Sequence, residues 1–502
     1  MQVYFFQVIF YNLPYTKQFE RGFKMGTELK KKYGLVTAIC MVVGIVIGSG
    51  VFFKAQDVLN YTQGNMPLGI IAWVIGGIVI VVCSYNFATL ANKYEKVNGL
   101  VDYAEATLGP KYAYMLGWFT TTIYYPGMTS VLAWVSARYT LVLFGLNLPD
   151  DFSSMTSGLC LALACLYLCL SYAINALSPV IAGKFQVGST AVKLVPLVVM
   201  AVVGTIVGIR NGNTAAAFQT WSVVEQTGVG APLFAAVVAT AFAYEGWIIA
   251  TSINAELKNS KKNLPIALVV GAFIIVAVYI LYYIGLAGGA EISDIQESGA
   301  PMAFKKIFGN LGGNALNAMI VVSCLGTLNG LMVASTRSLY ALSARNQGPN
   351  VKTFKEVSTA TNMPTNAAVM GLLICAVWLF YFYGANLYAH PQTGKPLFGI
   401  FSFDSSELPI VTIYALYIPI FFMFMVKHGK ENIFKNVIMP LIGIIASGFM
   451  VFAAVYAHGL TKYWAAKEAG EFSFPVLFYL IVFVVIMVIG LFFYKKNANE
   501  KE

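Results

Sequence analysis

The stretch Gly44-Ile45-Val46-Ile47-Gly48-Ser49-Gly50-Val51 decides how this chain is read. It lies in an apolar run near residues 35–60, and three glycines in it weaken the middle of a helix. Close helix packing through small residues is one account of the pattern and needs no unwinding. A second stretch, Phe242-Ala243-Tyr244-Glu245-Gly246-Trp247, sets a carboxylate beside a glycine in the middle of another apolar run.

The solvent around both runs follows from composition. Of 502 residues, 58% are hydrophobic and 11% charged, and the mean hydropathy is +0.71. A soluble chain carries about 25% charged residues. In lipid the backbone must satisfy its own hydrogen bonds, in helices or closed barrels. The apolar runs reach about 20 residues, the length of a spanning helix, whereas a barrel strand needs only about 10 alternating ones. The expectation is an all-α integral membrane protein with twelve transmembrane helices, near 35–60, 67–92, 113–146, 157–177, 185–209, 231–256, 265–289, 315–343, 366–384, 404–426, 434–457 and 473–494.

Charge orients these spans. With the N-terminus inside, 23 of the 32 lysines and arginines fall on the inner side and 8, Lys54 among them, on the outer side; Lys193 lies within a span. Cytoplasmic segments carry this excess, so both termini are expected in the cytoplasm and the protein in the plasma membrane. The net charge of +10 then reflects the cytoplasmic face, not affinity for nucleic acid. Residues 1–34 read as a cytoplasmic segment. Its first 24 residues lack a basic n-region and a cleavage site, so they are no signal peptide, and Met25 reads as a native start. Residues 495–502 read as a cytoplasmic tail. The seven cysteines lie in or beside apolar runs without CxxC spacing, so neither a disulfide framework nor a metal site is expected.

The two glycine-bearing stretches fall in the first and sixth spans. If residues 35–209 and 231–426 are two five-span halves, followed by two further spans at 434–494, the stretches occupy corresponding positions. Paired interrupted helices are the sequence-level mark of a transporter site. Unwinding leaves backbone N–H and C=O groups for a ligand. Helix N-termini suit a carboxylate, and C-terminal ends and free carbonyls suit an ammonium. A zwitterionic amino acid has both.

The motifs carry a family resemblance. Ile47-Gly48-Ser49-Gly50-Val51-Phe52 resembles the Gly-Ser/Thr-Gly signature of the amino acid–polyamine–organocation superfamily. Phe242 to Trp247, Asn254-Ala255-Glu256-Leu257-Lys258, Asn263-Leu264-Pro265, Tyr124-Tyr125-Pro126-Gly127, Gly326-Thr327-Leu328-Asn329-Gly330, Ser335-Thr336-Arg337 and Leu408-Pro409-Ile410-Val411 are similar to its L-amino acid transporter branch. The resemblance implies a LeuT-like five-plus-five inverted repeat with broken helices 1 and 6, working by alternating access. It implies that the N–H groups of Ser49 and Gly50 hold a substrate carboxylate. The carbonyls of Val46, Ile47, Phe242 and Glu245 would hold its amine. Phe242 is then the gate, with Gly48, Ala243, Tyr244 and Gly246 completing the two interruptions. Tyr125 reads equally as packing or as pocket wall. The loop Asn147 to Ser157 lacks the cysteine through which animal relatives attach a heavy subunit, so no such partner is expected, and no cofactor is.

Two intramembrane charges need a reason. Lys193 lies about nine residues into span 5, roughly 12 Å along it, which is deep for a snorkelling lysine. By the resemblance it replaces the sodium ion of sodium-coupled relatives, bridging carbonyls near Gly44 to Ser335 or Thr336; a proton-coupling role stays open. Glu245 is either internally paired or facing water, or it is a counter-charge for a basic or amine substrate or a proton site; the expected substrate is a neutral or cationic L-amino acid, with a polyamine or simple amine as the alternative. Asp404 and Glu407 read as interface residues at the outer start of span 10. His390, His428 and His458 fall in loops or at span ends, with no HExxH or GxSxG pattern, which argues against an enzyme. A membrane-embedded nutrient sensor is the rival from another class, but no regulatory soluble domain is evident.

Overall fold

The computed structural model describes residues 34–94, 99–145, 158–177, 179–219, 229–248, 257–358 and 363–494. The expectations for residues 1–33, the loop 147–157 and the tail 495–502 lie outside these. Regular structure in the described residues is helical. In chain order the helices are α1 Leu35–Val46, α2 Gly50–Tyr61, α3 Met66–Tyr94, α4 Leu100–Leu108, α5 110–143, α6 Gly158–Leu177, α7 179–211, α8 Asn213–Phe218, α9 Gly230–Tyr244, α10 Ser260–Gly289, α11 Ile292–Ser298, α12 Ala300–Ala344, α13 Val351–Lys355, α14 Thr365–Leu387, α15 Leu408–His428, α16 Phe434–Glu468 and α17 Pro475–Phe492.

Nine of these, among the described residues, are long and apolar enough to cross a membrane, and α1 and α9 contain shorter apolar stretches. Leu373, Val377, Phe380, Ile445, Val484 and Val488 are exposed on them; lipid is the solvent in which such apolar faces are stable. Helix boundaries agree with the hydropathy runs over most of the chain. The exceptions have local causes. α12 starts at Ala300 and bends at Gly309, whose φ of +69° is in the left-handed region open to glycine. α16 runs past residue 457 to Glu468 through a π turn at Val455–Leu460.

α5 also contains a π turn, Thr120–Tyr124. Pro126 has no N–H to give to the Thr122 carbonyl. Trp378 of α14 donates its indole Nε1–H to that carbonyl instead, at 2.8 Å. The hydroxyls of Thr120, Thr121 and Thr122 turn back onto carbonyls at Gly117 and Trp118, at 2.7–2.9 Å, a bonding mode that competes with the regular ladder.

α12 packs along α5, α7 and α14, and α10 packs along α3, α1 and α7. The α7–α10 contact is built on small residues: a Cβ at Gly204 would lie 2.5 Å from the Gly285 carbonyl oxygen, and one at Gly208 2.2 Å from the Gly288 Cα. Without a hydrophobic force between helices in lipid, such close backbone approach supplies the packing energy. α4, which hydropathy does not reveal, ties down the end of α12: Arg345 donates to Asp102 Oδ1 at 2.5 Å.

Candidate functional site

The two glycine-bearing stretches are where helices stop. α1 ends at Val46; Ile47 is extended (φ −65°, ψ 102°), and α2 starts at Gly50. α9 ends at Tyr244; Glu245 is extended (φ −67°, ψ 152°), and Gly246 has φ +109°, a conformation that L side chains avoid.

The two breaks touch. A Cβ at Gly50 would lie 3.0 Å from the Ala243 Cα and 3.2 Å from the Phe242 ring, so only glycine lets α2 start against the end of α9. One hydroxyl is shared between both: Tyr279 of α10 is 3.0 Å from the Ala243 carbonyl and 3.3 Å from that of Val46. The Tyr279 ring stacks on Tyr244 at 5.2 Å and meets Trp73 edge-on at 5.6 Å. Tyr244 in turn donates to the Trp73 carbonyl at 2.9 Å. Aromatic pairs of this kind contribute about 0.5–1.5 kcal/mol each beyond area burial. Phe242 packs against Phe53 of α2, centroids 5.0 Å apart.

Lys193 is buried, and its ammonium donates to the Gly44 carbonyl at 2.7 Å, in the last turn of α1. The α12 hydroxyls named from the sequence are not the ones that face this break. Ser335 pairs with Thr129 at 2.8 Å and Thr336 donates to the Met332 carbonyl at 2.8 Å. Thr327, roughly 12 Å earlier along the helix, approaches the break instead, with the Ser49 amide 3.4 Å from its Oγ1. Ser189, one turn before Lys193, abuts Gly326. The Ser323–Thr327 turn of α12 therefore lies beside Lys193. Sequence order places residues on a helix but not their depth relative to another helix.

Both carboxylate oxygens of Glu245 are buried without a hydrogen bond of full geometry. The Tyr124 hydroxyl and the Gly246 amide come nearest, and Tyr125, Tyr414 and Tyr417 also lie within its electrostatic reach. Tyr125 is half-buried. A buried carboxylate without a strong partner is costly, which makes this spot receptive to a cation or a proton.

A second polar group lies beside Phe242 and corrects the reading of Glu407 and His458. Glu407 is buried, not interfacial. Lys54 of α2 donates to its Oε1 at 2.5 Å, and His458 Nε2 lies 3.0 Å from its Oε2. Lys54 also pairs with Asp57 at 3.0 Å, and its ammonium sits 5.4 Å from the Phe242 ring centroid. His458 is in the π turn of α16, buried, not at a span end. Asp404 caps the start of α15 through its Oδ1, accepting from the Ser406 and Glu407 amides at 2.8 and 2.9 Å. Asp404, Glu407 and His458 are close enough to share an ion, but Glu407 is already paired with the Lys54 ammonium and with His458, and the group is an ion-pair network. Lys54 and Glu407 are 353 residues apart, so neither signals the other in sequence. Tyr279 was also missed, because a tyrosine in an apolar run reads as core.

Membrane-length helices pack around the place where α1 and α9 end. The chain belongs to the amino acid permease family, whose profile matches residues 33–502. It is a multi-pass membrane transporter and not an enzyme. It is 28% identical over 425 residues to the serine/threonine exchanger SteT of Bacillus subtilis (strain 168), covering 83% of this chain and 89% of that protein. It is 27% identical over 460 residues to the b(0,+)-type amino acid transporter 1 of Mus musculus, covering 90% and 87%. The solved structure of MhsT in complex with L-phenylalanine shares its fold with a TM-score of 0.56 at 15% identity, covering 86% of this chain and all of that one.

Proposed function

We propose that this protein is a sodium-independent amino acid exchanger of the plasma membrane, working by alternating access, with its substrate held between the breaks at Ile47–Ser49 and Glu245–Gly246. The reading takes α5, the α1–α2 pair and the crossing that α9 begins, together with the nine apolar helices, as twelve crossings, arranged as two inverted five-helix repeats plus two, with both termini in the cytoplasm. It needs no heavy subunit. The observation that carries it is the contact of Gly50, at the start of α2, with Ala243, near the end of α9.

In this reading the amides of Ser49 and Gly50, at the start of α2, take the substrate carboxylate. The carbonyls of Val46, Ile47, Phe242 and Glu245 take its amine. Phe242, between this site and Lys54, is the gate. Lys193 holds the last turn of α1 in place of a sodium ion, and its bond to Gly44 supports that role. The tyrosine-lined Glu245 carboxylate favours an amino acid whose side chain ends in a cation, or a simple amine, over a purely apolar one.

The test is a competition panel with Glu245→Gln. Substitution lowers apparent affinity for lysine, arginine and amines by about tenfold or more, the effect of one buried charge pair, and leaves neutral amino acids within about twofold. Equal losses for both classes contradict the counter-charge role.

A further inference from the structure

A cavity of about 680 Å³, lined among others by Tyr61, Asn386, Asp404, His458 and Lys462, leads toward the Lys54–Glu407 pair. The segments that frame it, near residues 385–404 and 457–475, lie at the outer side in the orientation given by the positive charges. His458 and Asp404 line the cavity while Glu407 does not. Lys54 lies beyond Glu407 and over Phe242. The pair therefore stands between the outer cavity and the helix breaks.

We propose that His458 is the proton-operated member of an outer latch, and that acid on the outer face favours opening of the Lys54–Glu407 clasp. The proposal rests on the carrier reading above. Glu407 is held from two sides, by Lys54 on α2 at 2.5 Å and by His458 on α16 at 3.0 Å. α15 and α16 pack along each other, so the His458–Glu407 contact survives a movement of α2. When α2 leaves, it takes Lys54 with it, and Glu407 becomes a buried carboxylate short of its strongest partner, which is the costly outcome of breaking a buried pair. A proton on His458 supplies the missing positive charge. The open state then holds that proton more tightly than the closed state, and by linkage the proton favours the open state.

The charge around His458 fits this role. Glu407 and Asp404 face it from the start of α15, and Lys462 lies one turn on along its own helix. Lys54 and Asp57 stand across Glu407, with Tyr61 at the end of α2. The Lys395–Glu471 pair, 2.8 Å apart, lies across the cavity. α9 and α17, which also pack on this turn, carry no charged side chain. Imidazole is the side chain whose ordinary charge change falls between pH 5 and 8.

The experiment is hydrogen exchange across Gly50–Tyr61 in the full-length reconstituted protein at pH 6 and pH 8, corrected for the intrinsic pH dependence of exchange. The wild type exchanges about fivefold faster at pH 6, the lower end for coupled sites, and His458→Gln shows no pH difference. No difference in the wild type, or the same difference in His458→Gln, overturns the latch. The wild-type comparison stands alone if the variant does not fold. Uptake with pH changed on one face at a time separates the two readings. PH-sensitive exchange without uptake of any amino acid or amine removes the carrier function and keeps the latch. Uptake that is insensitive to pH on either face overturns the latch and keeps the function.

Discussion

The Tyr279 hydroxyl lies 3.0 Å from the Ala243 carbonyl, at the broken end of α9, and the same hydroxyl reaches the Val46 carbonyl at the broken end of α1. A helix end buried away from water has carbonyls without intrahelical partners. Tyr279 serves one from each break and so sets the distance between the two halves of the proposed binding site. In a carrier the remaining groups are left for the substrate.

Tyr279→Phe keeps the stack on Tyr244 and the edge contact with Trp73 and removes only the hydroxyl. The variant loses about 1–3 kcal/mol of stability, the cost of leaving a buried acceptor unserved, read as a lower unfolding midpoint in detergent. Its substrate affinity falls as well, because the two breaks are no longer held in register. An unchanged midpoint would show that the hydroxyl does not hold the breaks.

Gly50→Ala tests the contact between the breaks. The added methyl would meet the Ala243 Cα at 3.0 Å, a backbone atom that cannot rotate away, and overpacking of this kind costs about 1–3 kcal/mol. Uptake is expected to fall severely while the protein still reaches the membrane. Gly448→Ala on α16, where a Cβ meets nothing within 4 Å, is the control and leaves uptake and stability within about 0.5 kcal/mol of wild type. Equal behaviour of the two variants would remove the packing argument.

The Lys54–Glu407 pair makes a third prediction through a double-mutant cycle. Lys54→Met or Glu407→Met alone leaves a buried charge without its closest partner and costs about 3–5 kcal/mol. Lys54→Met with Glu407→Met removes both charges and recovers most of that loss. The cycle is read from unfolding midpoints in the same lipid–detergent mixture. Additive losses would mean that the two charges are not coupled.

Much of the fold was legible in the sequence because lipid imposes one rule on every span. Runs of apolar residues found the long helices, and glycines with a mid-span carboxylate marked both places where helices stop. Depth and facing were not legible. Ser335 and Thr336 have the right chemistry to meet Lys193, but it is Thr327 that lies on the part of α12 beside the break between α1 and α2. Glu407 looked like an interface acid because its partners, Lys54 and His458, lie on other helices. Lys54 itself looked like an ordinary outer-loop charge, since nothing near it in sequence shows that α2 carries it inward to pair.

The central claim is exchange of an amino acid through the paired breaks, and the most direct measurement is uptake of a labelled amino-acid panel, with lysine, arginine and simple amines included, into sodium-free proteoliposomes that are either empty or preloaded. The account predicts uptake into preloaded vesicles, little into empty ones, and no stimulation when sodium is added. Uptake that requires sodium, or no uptake of any amino acid or amine under either loading, would contradict it.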